Sequence, residues 1–322
     1  MTQGLYPLLL EPQFESASWA GAQLKAFYAS SKRTDVPDRT AISYLVANSN
    51  SRQSVISNGH DAGRTLNELV ADNARDVVGS RGAGSGTFPF TVRVLDVGSR
   101  QPLMVHPAGS RMSTADSKFW YLLSRTPEGG EVCVGIKHRA THVQVLRQLR
   151  SKSFKKLLQV FPAREGDSFF IPPGVVHYLG AGNLTLELQK GDGEPRVVSR
   201  WDDVEPDRDE QARAVDGILF EHRLPGRIAS EAGRVMHTRK VPLVHNCPEF
   251  VVDEIRLKDY TSDRTAGDTF HLMLPVRGAI EISSPAGDAT VPTGWACLVP
   301  AAMGRYRVVA SGKEADFLKV AM

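Results

Sequence analysis

Cysteine is scarce in this sequence, and the three cysteines that are present lie far apart. Cys133, Cys247 and Cys297 form no CxxC pair in a chain of 322 residues. A disulfide framework needs an even set of cysteines, and a thiolate zinc site uses closely spaced pairs. We therefore expect neither, and a reducing cytoplasm fits this content best.

An excess of one charge sign and long apolar runs are also missing. The 39 basic and 36 acidic residues leave a formal net charge of +3, far below the basic excess of a protein that binds nucleic acid through its phosphates. No run reaches the roughly 18 apolar residues of a transmembrane helix, and the opening MTQGLYPLLLEPQF lacks the basic segment and long apolar core of a secretion signal. We expect no nucleic-acid partner, no membrane span and a cytoplasmic location.

What is present is the composition of a folded protein with a strand-rich pattern. Hydrophobic residues make up 41% and charged residues 23% of the chain, close to the average of globular proteins. Alternation of apolar and polar residues, with β-branched or aromatic runs, predicts many short strands. They fall at 88–97, 118–124, 131–137, 168–172, 183–189 and 194–198, and then at 249–257, 268–274, 278–283, 295–299, 304–309 and 315–321. The predicted fold is dominated by β-structure.

The segment 140–161 breaks this alternation and predicts a helical insertion. Its apolar residues at helical spacing are Phe154, Leu157, Leu158 and Phe161, and the lysines on the opposite side are Lys152, Lys155 and Lys156. Such a division is typical of an amphipathic helix with a solvated charged face.

The length exceeds the roughly 100–200 residues of a typical domain, which favours two domains. The charged and polar segment 202–214 separates the two strand-rich regions. We predict an N-terminal domain at 1–201, a linker at 202–236 and a C-terminal domain at 237–322. Short strands at these spacings are typical of sandwiches and barrels, so we expect two β-barrels in tandem, the first with the helical insertion.

Two histidines stand at the ends of apolar strands. His106 lies in LMVHP and His177 in IPPGVVHYLG. Alternation places Met104 on the face of His106, and Lys118 on the face of Trp120. A single histidine on a strand is usually a hydrogen-bonded structural residue, but the sequence around this pair favours a functional role.

Several short segments of the sequence, including those around the two histidines, resemble the type I mannose-6-phosphate isomerases of the short bacterial form, which are tandem cupins. The segments that carry the resemblance, in order along the chain, are PLLLEPQFESASWAG, SVISNG, GRTLNELV, FPFTVRVLDV, VHP, FWYLL, VGIK and GDSFFIPPGVVHYLGAGNLTLELQ. The resemblance runs nearly end to end. It implies a tandem cupin fold, a zinc cofactor, and a sugar phosphate as the small-molecule partner.

The resemblance also implies a ligand set for zinc, which this sequence matches in part. His106 and His177 stand at two ligand positions of the family, whereas Met104 replaces the family's glutamine and Lys118 its glutamate. A thioether is a poor zinc ligand, and an ammonium repels the divalent ion. Glu187, which shares a strand face with Gln189 while three leucines take the other face, is the candidate replacement ligand.

Further candidate site residues lie at and around these positions. Arg196 falls where the family carries an arginine that steadies the enediol-like intermediate, and Lys118 is the second candidate for a catalytic role. Candidate substrate contacts are Trp120, Glu187 and Ser110. An ordinary strand-edge arginine is the alternative for Arg196, and a plain loop serine is the alternative for Ser110.

Three functions remain open on the sequence. The first is zinc-dependent isomerisation of mannose-6-phosphate and fructose-6-phosphate, an aldose–ketose conversion in carbohydrate metabolism. The second is a metal-free, catalytically inactive or diverged relative that binds a sugar or another polar metabolite. The third is an isomerase in which Lys118 replaces zinc as the electrophile and a histidine is freed for acid–base work.

Overall fold

Strands dominate the computed structural model of this chain. The structure describes residues 4–49, 51–108, 117–137, 140–151, 153–191, 193–201, 206–220, 226–230 and 237–322. Within these residues, 23 strands and four α-helices are present. None of the described helices is both long and apolar enough to cross a membrane.

The first strands are β1 Leu8–Leu10, β2 Gln13–Ser16, β3 Thr40–Val46, β4 Asn48–Ser49, β5 Arg52–Gln53, β6 Phe90–Val97, β7 Leu103–Val105, β8 Lys118–Arg125, β9 Glu131–Ile136, β10 Leu158–Pro162, β11 Ser168–Ile171, β12 His177–Leu179, β13 Asn183–Lys190 and β14 Arg196–Ser199. The later strands are β15 Arg239–Val244, β16 Val251–Leu257, β17 Tyr260–Arg264, β18 His271–Arg277, β19 Ile280–Ser284, β20 Gly287–Val291, β21 Ala296–Val299, β22 Arg305–Ala310 and β23 Ala315–Ala321. The helices are α1 Leu24–Ala29, α2 Leu66–Gly82, α3 His142–Arg150 and α4 Arg208–Asp216.

Four larger sheets form two pairs. The first pair consists of a six-stranded sheet, β11-β8-β13-β6-β3-β2, and a five-stranded sheet, β10-β9-β12-β7-β14. The second pair consists of a six-stranded sheet, β1-β21-β18-β23-β16-β15, and a four-stranded sheet, β17-β22-β19-β20. The second pair thus takes one edge strand, β1, from the start of the chain.

The two faces of β13 contact different parts of the molecule. One face lies in the core between the two pairs of sheets, and the other faces the interior of the first pair. Leu184, Leu186 and Leu188 are buried in a core that also holds Phe250 and Leu318 of the second pair. The intervening residues of β13 point the other way, into the first pair of sheets. Each pair also has an apolar core of its own, so the four sheets stack in layers.

The helical insertion is shorter than the sequence predicts. Thr141 caps the N-terminus of α3, and its side chain accepts a hydrogen bond from the Gln144 amide in a capping box. After a 3-10 turn, the chain forms β10, which pairs antiparallel with β9. The helical prediction is therefore wrong for residues 158–161, because the edge of β9 offers backbone partners that outweigh the local spacing.

The segment predicted as a linker also contains regular structure. Asp207 caps the N-terminus of α4, and its carboxylate accepts a hydrogen bond from the Glu210 amide. Its buried Ala214 and Val215 pack in a core on the outer face of the five-stranded sheet, together with Val145 of α3. Part of the predicted linker thus belongs to the first pair of sheets.

Candidate functional site

A cavity of about 460 Å³ opens into the interior of the first pair of sheets. Polar and aromatic side chains from β6, β7, β8 and β13 converge on it. Those that matter for its chemistry are Arg93, Met104, Lys118, Trp120, Glu187 and Gln189.

A buried carboxylate stands at the centre of this cavity wall. Glu187 is 2% exposed, and it lies opposite Trp120 on β8 and Arg93 on β6 in the antiparallel register. The Trp120 indole Nε1 donates to Glu187 Oε2 over 2.8 Å, and the Lys118 ammonium lies 3.2 Å from the same oxygen. Arg93 donates to the other carboxylate oxygen and also to Gln189 Oε1 over 2.8 Å.

This set of donors keeps Glu187 ionised. Burial by itself raises the pKa of the Glu187 carboxyl, but the charges of Arg93 and Lys118 and the Trp120 hydrogen bond hold that pKa well below its usual range. A buried charge is tolerated where it is paired and hydrogen-bonded. Two cations and one anion leave this cluster with one net positive charge.

Two histidine rings stack beside the carboxylate. The rings of His106 and His177 are parallel, with centroids 5.7 Å apart, and both residues are buried. The edge of Trp120 packs against His177 at 5.4 Å. His177 Nδ1 donates to the Val175 carbonyl over 2.9 Å, so its Nε2 presents a lone pair.

The histidines are neutral. Burial first, and then the nearby Lys118 charge, lower the pKa of His106 to about 3 and that of His177 to about 4. Among the described residues, His177 Nε2 and both ring nitrogens of His106 have no hydrogen-bond partner. Buried polar atoms of this kind are unusual and point to a ligand or water.

The side chains present do not fit zinc. Met104 lies directly opposite His177 across the β7–β12 pair, so a thioether is the next donor after the two imidazoles. Both oxygens of Glu187 already accept from cationic or indole donors, and Lys118 places a positive charge beside the histidines. The described part of the chain has no cluster of three or more histidine, cysteine or acidic side chains suited to a metal. Zinc takes nitrogen, thiolate and carboxylate ligands. Of these, the site offers only the nitrogens of His106 and His177, because the Glu187 oxygens are already hydrogen-bonded.

The structure brings most of the predicted site residues together, but not all. His106, His177, Lys118, Trp120 and Glu187 converge as described. Arg196 does not join them: it is exposed, donates to the Arg213 carbonyl over 2.8 Å, and precedes Val197, the residue that pairs with Met104. Ser110 lies outside the described residues.

Arg93 is the site residue that sequence reasoning missed. It stands in the FPFTVRVLDV strand between Val92 and Val94, which are buried in the core shared by the two pairs. A signal was available, because alternation places Arg93 on the face opposite these valines, which is the face that Glu187 shares.

The paired sheets have the fold of solved mannose-6-phosphate isomerase structures. The structure is similar to that of the mannose 6-phosphate isomerase from Bacillus subtilis, with a TM-score of 0.79 and 21% identity over 98% of this chain and 99% of that chain. It is also similar to a mannose 6-phosphate isomerase bound with zinc and yttrium, with a TM-score of 0.70 and 13% identity over 98% of both chains. The predicted strand-dominated, cupin-type fold is confirmed.

The sequence has relatives of the same description. It is 29% identical over 191 residues to the mannose-6-phosphate isomerase of Streptococcus mutans, and the aligned region spans 57% of each chain. No family model matches the chain. The resemblance found in the sequence segments is confirmed by these relatives and by the shared fold.

Proposed function

We propose that the protein is an aldose–ketose isomerase of a hexose phosphate, which interconverts mannose-6-phosphate and fructose-6-phosphate. The observation that carries this proposal is the polar cavity with its two cations, Lys118 and Arg93, in a chain that has the mannose-6-phosphate isomerase fold over 98% of its length. The relative from Streptococcus mutans, named for the same activity, supports it. We place the protein in the cytoplasm, since its three cysteines are free and buried.

The chemistry of such a reaction suits the residues present. Aldose–ketose isomerisation moves a proton between two neighbouring carbons and develops negative charge on their oxygens. Lys118 and Arg93 supply fixed positive charge for those oxygens in a largely buried site. His106 and His177 are neutral, and each has an unpartnered nitrogen that can accept a hydrogen bond.

A second function uses the same cavity without turnover. In it the protein is a metal-free relative that binds a sugar or another polar metabolite. The specific observations that favour it are the Met104 thioether opposite His177, the Lys118 ammonium beside Glu187, and the exposed Arg196, at positions where the resemblance implies two metal ligands and a catalytic arginine. Binding of a polyol needs hydrogen-bond donors and acceptors in a pocket of this size, without a base of matched pKa.

One set of measurements separates the two functions. The protein is stripped with a chelator, and the conversion of mannose-6-phosphate to fructose-6-phosphate is followed with and without one equivalent of zinc. Binding of mannose-6-phosphate is measured in parallel by calorimetry. Turnover in the stripped protein supports the isomerase, and binding without turnover under either condition supports the binding protein. Loss of both binding and turnover contradicts both functions.

Replacement of Lys118 gives a sharper version of this test. Lys118→Met retains the apolar stem and removes the charge, so we expect any metal-free turnover to fall at least about 100-fold, the effect typical of losing one electrostatic stabiliser. Lys319→Met is the matched control, because Lys319 is a partly buried lysine paired with Asp263 in the second pair of sheets. Equal losses in the two variants would contradict a role for Lys118 in the site.

A further inference from the structure

We propose that the Lys118 ammonium takes the place of a divalent metal ion in this cavity, and that Met104→Gln with Lys118→Glu would create a zinc site there. The proposal goes beyond the proposed function, because it concerns the cation of the site and holds whether or not a bound sugar is turned over.

The side chains of Met104, His106, Lys118 and His177 converge from the two facing sheets of the first pair. Met104 of β7 faces His177 of β12 as a direct cross-strand partner, and directly paired residues have Cβ atoms about 4.5–5.5 Å apart. His106 follows on the face of Met104 and stacks on His177. Lys118 of β8 enters from the facing sheet, and its side chain is 6% exposed.

The position of Lys118 is explained by charge. Glu187 is buried, and its carboxylate needs positive charge nearby. A carboxylate at position 118 together with a divalent ion would carry one net positive charge, which is the charge of the Lys118 ammonium alone. Without a metal, a lysine at this position therefore gives the surroundings of Glu187 and Arg93 the same net charge as a carboxylate with a bound divalent ion.

The histidines retain the arrangement of metal ligands. His177 donates from Nδ1 to the Val175 carbonyl, and this backbone bond fixes the tautomer whose Nε2 can bind a metal. That Nε2 is buried and has no hydrogen-bond partner among the described residues, and the same is true of both nitrogens of His106. Two neutral imidazoles are thus available, and the missing elements are two oxygen ligands.

The two substitutions supply these oxygens at the positions where the structure places a thioether and an ammonium. Met104→Gln adds no charge, but it introduces an amide oxygen, which is a harder donor than sulfur. Lys118→Glu adds a carboxylate ligand and removes the charge that repels the ion. Two nitrogens and two oxygens complete a four-coordinate zinc site.

The test measures zinc and uses no sugar. The wild-type protein, Met104→Gln/Lys118→Glu, and the same double variant with His177→Ala are loaded with zinc, dialysed and analysed for metal. We expect the double variant to retain about one zinc per chain and to gain thermal stability with zinc, as for a structural site. We expect far less than one zinc in the wild-type protein and in the triple variant.

Two results would overturn the proposal. One is about one zinc retained per chain by the wild-type protein. The other is a double variant that is folded by circular dichroism and retains no zinc. If the double variant does not fold, the wild-type protein is titrated with zinc by calorimetry. A Kd tighter than about 1 μM, which is a binding free energy of about −8 kcal/mol, contradicts the proposal. Weaker binding supports it. Isomerase activity enters none of these outcomes, so a failure of the proposed function is seen separately.

Discussion

At the scale of single residues, three buried histidines make stability depend on pH. Burial, followed by the charge of Lys118 or Lys319, lowers the pKa of His106 to about 3 and those of His177 and His271 to about 4. In the unfolded chain each titrates near its usual value of about 6.5. Between about pH 6.5 and pH 4 the unfolded chain therefore binds more protons, and acid shifts the equilibrium toward unfolding.

We predict that the free energy of unfolding changes little between about pH 7 and pH 8 and falls as the pH is lowered toward 5. Each histidine contributes up to about 1.4 kcal/mol per pH unit. Urea titrations at several pH values measure this slope. His271→Gln should reduce the slope by about a third, while His237→Gln, at an exposed residue, should leave it unchanged. An unfolding free energy that does not vary between pH 7 and pH 5 would contradict the prediction.

Only those site residues could be predicted that the alternation of side chains along strands or the family resemblance identifies. Alternation placed Lys118 beside Trp120, and Glu187 on the face away from the leucines, which is how the structure has them. The side chain of Arg196 depended on how β14 pairs with β7, where the register shifts between Val197 and Ser199. Such an irregularity is set by tertiary contacts and leaves no signal in the sequence.

At the scale of elements, β13 carries both the site and the contact between the two pairs of sheets. Leu186, 1% exposed, lies in the core shared with Phe250 and Leu318, while its neighbour Glu187 faces the cavity. We predict that Leu186→Ala lowers the free energy of unfolding by about 2–5 kcal/mol, as for other buried leucines. Denaturant unfolding measures this loss.

Leu219→Ala is the matched control, because Leu219 is exposed and its loss should have a much smaller effect. If Leu186→Ala unfolds at the same denaturant concentration as the wild-type protein, the shared core does not stabilise the fold.

Predictions of elements succeeded where the pattern was long and regular. The strands predicted over 118–124 and 183–189 agree with β8 and β13 to within one residue at each end, because an aromatic and apolar run in the first and alternation in the second are both typical of strands. Over 140–161 the pattern was mixed. Leu158 fits a helical spacing, but it also fits the alternation of an edge strand, and the free edge of β9 decided between them.

At the scale of the whole molecule, the two regions on either side of the predicted 202–236 linker share a sheet. β1, from Leu8 to Leu10, pairs with β21 in the second pair of sheets. The Tyr121 hydroxyl donates to Glu254 Oε1 over 2.7 Å from the first pair to the second. A charged segment between strand-rich regions predicts a boundary, but it contains no information on a distant strand that returns to the other side.

We therefore predict that residues 237–322 do not fold alone. Without β1 the sheet has a new open edge, and without the leucines of β13 the face that holds Phe250, Leu272 and Leu318 is exposed. An open edge and a wide apolar face favour aggregation over a stable fold. Circular dichroism and amide NMR of the isolated segment should show no cooperative transition and poor dispersion. Co-expression with residues 1–236 should restore a complex that unfolds in one step, because that segment supplies both the strand and the leucines. A dispersed spectrum and a sharp melting transition of 237–322 alone would contradict the prediction and would make the second pair of sheets an independent domain.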